Sequence, residues 1–376
     1  MRLFFLVLAV IFYGIGGFLS CTAPPKKTAQ INKEAFGITQ DGAAVDQYTL
    51  INQSGMEVKI LTYGGIITNL FIPDATGKKT DVVLGFDELK LYESSSPYFG
   101  ALIGRYGNRI AGGKFNLEGE EYTLVQNNGT NHLHGGTRGF DKVIWEASAH
   151  IENEEAFLEL RYLSQDQEEG YPGNLAVEVT YVLTQNNSLE VRYKAQTDKT
   201  TVLNLTQHTY FNLSGDEDIL NHELKLNASS YLPVDETLIP LGTLAEVANT
   251  PFDFTTLKRI GSDIDEENLQ LKQGLGYDHC WVLNNQNTGV RTAAVLKHPR
   301  SGIQMEVLTD LPGIQFYSGN FLDGTLPRKG TDSFYAYRSG LCLETQFFPN
   351  APNEPSFPST VLKPGEVFQS TTVFQF

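Results

Sequence analysis

Three short polar clusters carry the residue types that could do chemistry: Asn131-His132-Leu133-His134-Gly135-Gly136, Gln207-His208-Thr209-Tyr210-Phe211-Asn212 and Leu343-Glu344-Thr345-Gln346. Histidine and glutamate exchange protons near neutral pH once their surroundings tune them. Two histidines and one glutamate meeting in a pocket would form an acid–base centre that needs no metal. The glycines after His134 let the backbone approach another group closely. His132 alternates with His134 and should point away. A His-x-His pair can ligate a metal, but no Asp, Cys or third His stands at a supporting spacing, so none is expected. Asn108-Arg109, in the glycine-loosened Gly104-Arg105-Tyr106-Gly107-Asn108-Arg109-Ile110, supplies a fork suited to hydroxyls or an oxyanion. Asp278 in Gly276-Tyr277-Asp278-His279 and Gln315 in Gly313-Ile314-Gln315-Phe316-Tyr317 add hydrogen-bonding groups beside aromatics. Polar groups next to aromatic platforms suit a sugar, whose hydroxyls need partners and whose C–H faces stack. Each residue also has a bland counterpart: His134 capping a loop, His208 satisfied in a core, Glu344 facing solvent. Singly they decide nothing.

The elements that must position these groups read as strands. Leu175–Leu183 and Leu189–Ala195 alternate around Gln185-Asn186-Asn187-Ser188, and Lys114–Leu117 and Glu121–Val125 around Glu118-Gly119-Glu120, each predicting a hairpin. Phe157–Tyr162 and Ile303–Leu308 continue the pattern. The 35 Gly, 23 Phe and 17 Tyr supply the turns and pleated packing an antiparallel protein needs. Ser262 to Lys272 predicts one or two helical turns opened by Ser262 or Asp263. There is no strand–helix rhythm and no fixed repeat, which argues against a doubly wound sheet, a (β/α) barrel or a propeller. From Phe36 to Phe376 no linker interrupts the pattern, and the prediction is all-β: one large antiparallel β-sandwich.

A net charge of −16 argues against nucleic acid, which asks for a basic face. Residues 1–20 read as a secretory signal: Arg2, an apolar run from Leu3 to Leu19, then Ser20-Cys21. Phe18-Leu19-Ser20-Cys21 resembles a bacterial lipobox, with Phe18 where an aliphatic residue is usual. The expected state is a periplasmic lipoprotein anchored at Cys21; the alternative is an uncleaved membrane anchor, and both place the remainder outside the cytoplasm. Residues 21–35, with Pro24-Pro25-Lys26-Lys27, read as a tether. Cys280 and Cys342 are too few for a disulfide framework and are read as buried free thiols, a bridge being the alternative. They stand two residues after Asp278 and two before Glu344, so on strands they could share a face with those acids.

Taken in chain order, the clusters resemble the aldose 1-epimerase (galactose mutarotase) family. The motifs are Gly104-Arg105-x-x-Asn108-Arg109-Ile110, Asn131-His132-Leu133-His134-Gly135-Gly136 with Gly139-Phe140-Asp141-Lys142, Asn204-Leu205-Thr206-x-His208-x-Tyr210-Phe211-Asn212-Leu213, Tyr277-Asp278-His279, and Gly340-Leu341-x-Leu343-Glu344-Thr345-Gln346. Val234–Pro240 and Leu362–Glu366 fit as well, so the resemblance spans about residue 36 to the C-terminus. It implies a mutarotase-like supersandwich that interconverts the α and β anomers of free aldohexoses such as glucose and galactose, without cofactor. By position it makes Glu344 the general base, His208 the general acid, and Asn108, Arg109, His134, Asp278 and Gln315 sugar contacts. Cys280, where many relatives carry another residue, is expected to alter the pocket wall. Two other classes compete: a β-sandwich glycoside hydrolase, using Asp278 and Glu344 as carboxylates about 5–10 Å apart, and a non-catalytic carbohydrate-binding module.

Overall fold

Alternating runs become paired strands. In Leu175–Leu183 the side chains of Val177, Val179 and Tyr181 are buried while Ala176 is exposed, and the strand pairs antiparallel with Ser188–Thr197 from Leu175↔Thr197 to Leu183↔Leu189. Lys114–Leu117 and Glu120–Thr123 form the second expected hairpin. The computed structural model describes residues 28–73, 77–215 and 218–376. The signal, Cys21 and residues 21–27 of the tether lie outside these.

Three antiparallel sheets organise the chain. The N-terminal one runs Gln30–Ile38, Ala44–Ile51, Glu57–Leu61, Ile67–Pro73 and Lys79–Asp81 in sequence order. The largest has nine strands, and its C-terminal strand Phe368–Gln375 lies between Ser188–Thr197 and Gln304–Thr309. That insertion joins early and late chain into one sheet. The third has six strands: Tyr210–Phe211, Leu341–Gln346, Gly313–Tyr317, Asp278–Leu283, Ala228–Leu232 and Ala245–Glu246. One core, containing Leu158, Val179, Val191, Trp281, Phe316, Leu343 and Phe374, draws on the second and third sheets. Phe211 of the third sheet meets Phe374 of the second at 5.1 Å between ring centroids. The result is the expected β-sandwich, with stacked inner faces excluding water from apolar side chains.

Two boundaries differ from the sequence reading. Residues 30–35, assigned to the tether, belong to the strand Gln30–Ile38, which pairs with Ala44–Ile51. None of its side chains is buried, so backbone hydrogen bonding rather than hydrophobic alternation makes it a strand. The helix expected over 262–272 is instead Leu269–Gly274, capped by Asn268, whose side chain accepts from the backbone N–H groups of Gln270 and Leu271. Asn268 satisfies the orphan donors that Ser262 and Asp263 were expected to take; Ile260–Ser262 forms a separate 3₁₀ turn.

Candidate active site

Strand alternation gives the six-stranded sheet two chemically different faces. Register pairs Cys280 with Gln315 and Gln315 with Glu344, and in the next row Asp278 with Tyr317, Tyr317 with Cys342, and Cys342 with Tyr210. These polar and aromatic groups share one face. Trp281, Ile314, Phe316, Leu341 and Leu343 occupy the other and fill the sandwich core. A one-residue slip would carry Asp278 and Glu344 into that core, so burial of the apolar set fixes the placement of the acids.

The remaining groups arrive over this face from elsewhere. His208 ends the strand Thr206–His208, which pairs with Ala101–Ile103. Arg109 and His134 are brought together by the ribbon of Arg109–Ile110 and His132–Leu133, in which Leu133 lies opposite Arg109. Asn108 and His134 both adopt positive φ, 63° and 51°, a conformation non-glycine residues sustain where the surroundings fix it. Gly135 shows why: with φ of 84°, it lies so close to Gly104 that a Cβ would stand 1.8 Å from that carbonyl oxygen. His132 turns away as expected, its Nδ1 at Val125 O and its Nε2 2.6 Å from the Tyr171 hydroxyl.

Asn108, Arg109, His134, His208, Asp278 and Glu344 line one pocket of about 120 Å³ with Tyr98, Leu133, Tyr210, Tyr317, Phe321 and Leu322. His208 Nε2 lies 3.6 Å from Glu344 Oε1. Arg109 Nη1 lies 4.0 Å from Asp278 Oδ2, while its Nε donates to Asn128 Oδ1. Gln315 does not line the pocket; it stands behind Asp278 and donates from Nε2 to Oδ1 at 2.7 Å. Cys280 packs with Leu232, Phe348, Ala351 and Phe357 in a satellite cluster and does not shape the pocket wall. Both Cys280 and Cys342 are buried free thiols.

Burial sets the electrostatics. It draws the His208 imidazole down to about 4 and the His134 imidazole well below its ordinary value, with His208 and Arg109 adding to the latter. Burial, then the charge of Asp278, push the Glu344 carboxyl well up against the opposing pull of Arg109. Glu344 Oε2 and Gln315 Oε1 have no protein partner. At Glu344, which lines the pocket, an unpaired buried acceptor of this kind is stabilised by a ligand rich in hydroxyl donors.

His134, His208 and Glu344 place one ligand atom each within 4.8 Å of one another, a spread a cation could use. The hydrogen bonds oppose that use at His134. Its Nδ1 accepts the backbone N–H of Asn108 at 3.2 Å, so in the neutral ring Nε2 carries the proton and is a donor rather than a metal ligand.

A family model for aldose 1-epimerase matches residues 46–375. The chain belongs to the aldose 1-epimerase family. It is 46% identical to a protein named galactose mutarotase from Sus scrofa over 348 residues, covering 92% of this chain and 98% of that protein. It is 39% identical to aldose 1-epimerase of Escherichia coli strain K12, covering 91% and 98%. Among solved structures, galactose 1-epimerase from Lactobacillus acidophilus superposes with a TM-score of 0.81 at 30% identity, over 93% of this chain and 98% of that one.

Within this candidate site the aromatic residues are what motif reading did not single out. Tyr98, with φ of 67°, sets its ring 4.6 Å from His134 and 5.6 Å from His208. Tyr317 stacks on Phe321 at 5.8 Å. Alternation on Gly313–Tyr317 could have placed Tyr317 beside Gln315, but nothing around Tyr98 or Phe321 in the sequence indicates a pocket.

Proposed function

We propose that the family's reaction, interconversion of the α and β anomers of free aldoses such as galactose and glucose, runs in this chain between His208 and Glu344. The observation that carries the assignment is their apposition in one pocket, Nε2 to Oε1 at 3.6 Å, with burial moving the two groups in opposite directions. A carboxylate pushed up is a stronger base, and an imidazolium drawn down is a stronger acid. Glu344 takes the proton of the C1 hydroxyl while His208 delivers one from Nε2 to the ring oxygen. The C1–O5 bond breaks and an open-chain aldehyde forms. Rotation about C1–C2 turns the other carbonyl face, and the two transfers reverse as the ring closes, so no net proton is consumed. Arg109 and His134 present donors to the oxygen charge that develops, and Asn108 and Asp278 orient hydroxyls, with Gln315 steadying Asp278.

The test is polarimetry on freshly dissolved α-galactose and α-glucose. Glu344→Gln and His208→Asn should each lower kcat by roughly 10²–10⁴-fold; full activity in either would sink the assignment. Release of new reducing ends from an oligosaccharide would favour a hydrolase instead. Against that reading stands Asp278, whose Oδ1 accepts from Gln315 and whose Oδ2 lies 4.0 Å from the Arg109 guanidinium, a setting that suits recognition better than attack.

We also propose that the enzyme works outside the cytoplasm, tethered through an acylated Cys21. Arg2, the Leu3–Leu19 run and Ser20-Cys21 support this. The full-length protein should sediment with membranes and Cys21→Ser should release it; a cytosolic wild-type protein would overturn the proposal.

A further inference from the structure

We propose that Cys342 is a positioning residue for His208: its sulfur accepts the Nδ1–H and so reserves Nε2 for the sugar. The inference rests on the acid–base reading above and deepens it. Cys342 Sγ lies 3.5 Å from His208 Nδ1, and both side chains are buried, Cys342 completely. Nε2 faces Glu344 at 3.6 Å. The two nitrogens of one imidazole therefore meet two residues of one strand, Leu341–Gln346, at the i and i+2 positions that share a sheet face. Register makes the placement, because Tyr210, two residues after His208, lies opposite Cys342. The rings of Tyr98, His134 and Tyr210 pack around the imidazole with centroids 5.6, 5.1 and 5.2 Å away.

The chemistry asks for a neutral acceptor here. A carboxylate at Nδ1 would hold the imidazolium too tightly to release its proton beside an already buried Glu344. Burial, then the charges of Glu344 and Asp278, push the Cys342 thiol up, so it keeps its own proton and adds no charge. The Nδ1–H stays on sulfur throughout: Nε2 gives its proton to the ring oxygen, is left with a lone pair, and takes a proton back on closure. The proposed cycle needs a single proton shared between Nε2 and Glu344, which lie 3.6 Å apart. Loss of the sulfur would let the neutral ring move its proton from Nδ1 to Nε2, and such a ring cannot recover one there. Orientation by the partner of the other nitrogen is how histidine chemistry is commonly set.

The test uses the full chain with Cys342→Ala, Cys342→Ser and His208→Asn, read by polarimetric kcat and KM on galactose and by ¹⁵N NMR of the imidazoles. Cys342→Ala should lower kcat roughly 3- to 10-fold, the equivalent of one neutral hydrogen bond, with KM within about 2-fold, and the His208 ¹⁵N shifts should move toward a mixed tautomer. Cys342→Ser, whose hydroxyl also accepts, should restore kcat and the Nδ1–H form and shift that proton resonance. An inactive His208→Asn beside a Cys342→Ala enzyme with unchanged kcat and ¹⁵N shifts overturns the clamp alone. So does an equal loss in the Ala and Ser variants with unmoved ¹⁵N shifts, which would make Cys342 a packing residue. An active His208→Asn removes the acid–base reading itself. If the Ala variant does not fold, an unshifted Nδ1–H resonance in Cys342→Ser is sufficient to reject the proposal.

Discussion

Asn108 and His134 hydrogen-bond each other twice: the Asn108 backbone N–H donates to His134 Nδ1 at 3.2 Å, and the His134 backbone N–H donates to the Asn108 carbonyl at 3.1 Å. The pair fixes which nitrogen of His134 carries the proton. A ring held this way carries Nε2–H as a donor, for a sugar oxygen in the proposed reaction, and has no lone pair there for a metal. Exhaustive dialysis of the enzyme against a chelator should leave kcat/KM unchanged. His134→Leu, which removes the donor, should lower kcat/KM by roughly 10- to 100-fold, the range for one hydrogen bond to a charged or charging oxygen. Activity lost on chelation and restored by a divalent ion would contradict this account.

A second consequence concerns stability away from the site. Burial holds His222 and His279 near about 3; His298, 4.7 Å away between ring centroids, adds to the shift at His222. In the unfolded chain both return to about 6.5. Between those values the unfolded chain binds protons that the fold refuses. Their contribution is therefore complete above about pH 6.5 and declines as pH falls toward 3, by up to about 1.4 kcal/mol per pH unit for each. Asp141, raised to about 6 by burial, acts in the opposite sense between about 4 and 6, so the clean measurement is a difference. Urea unfolding of wild type and His222→Gln at about pH 8, 6 and 5 should show a shallower acid decline in the variant. Parallel curves would mean that His222 is protonated in the fold.

Much of this was legible because the chemistry sits on strands, where a period of two ties face to position. Glu344, Cys342 and Asp278 follow from alternation alone once Leu343 and His279 are known to face the other way. His208 and His134 needed the ordered motifs, because their approach depends on pairings with Ala101–Ile103 and Arg109–Ile110 that no local pattern encodes. Gln315 was assigned to the sugar but lies outside the pocket lining and donates to Asp278, since a shared face does not fix depth. Cys280 was expected on the pocket wall because many relatives carry another residue there, and it packs beside Phe348 instead. The rings of Tyr98 and Phe321 were invisible, because a loop aromatic carries no periodicity to say which way it turns. The strand Gln30–Ile38 was missed because its pairing is made by backbone groups that every sequence has.

In the proposed reaction His208 and Glu344 act on one substrate in one step, so their contributions should not add. If each single variant, His208→Asn or Glu344→Gln, costs a factor between roughly 10² and 10⁴, the double variant should lose little more than the worse of the two, as residues working as a unit do. Polarimetric kcat for the four enzymes completes the cycle. Full multiplicative loss would indicate that the two side chains serve separate steps.

The pair should also set the pH profile. The proposed reaction shares one proton between His208 and Glu344, so the apparent values belong to both groups. Activity falls at low pH when a second proton joins; with His208 drawn to about 4 by burial, that limb of kcat/KM lies well below the 6.5 of a free imidazole. Activity falls at high pH when the shared proton leaves, and Asp278, by raising Glu344, delays that loss. Asp278→Asn removes this charge and frees that of Arg109, both of which lower Glu344, so the alkaline limb should move toward lower pH while kcat/KM drops through lost hydroxyl contacts. Galactose mutarotation between about pH 4 and 10, followed in both enzymes, reads each limb. An acid limb at about 6.5 would place His208 in water, and an unmoved alkaline limb in Asp278→Asn would mean that Glu344 does not feel the charge beside it.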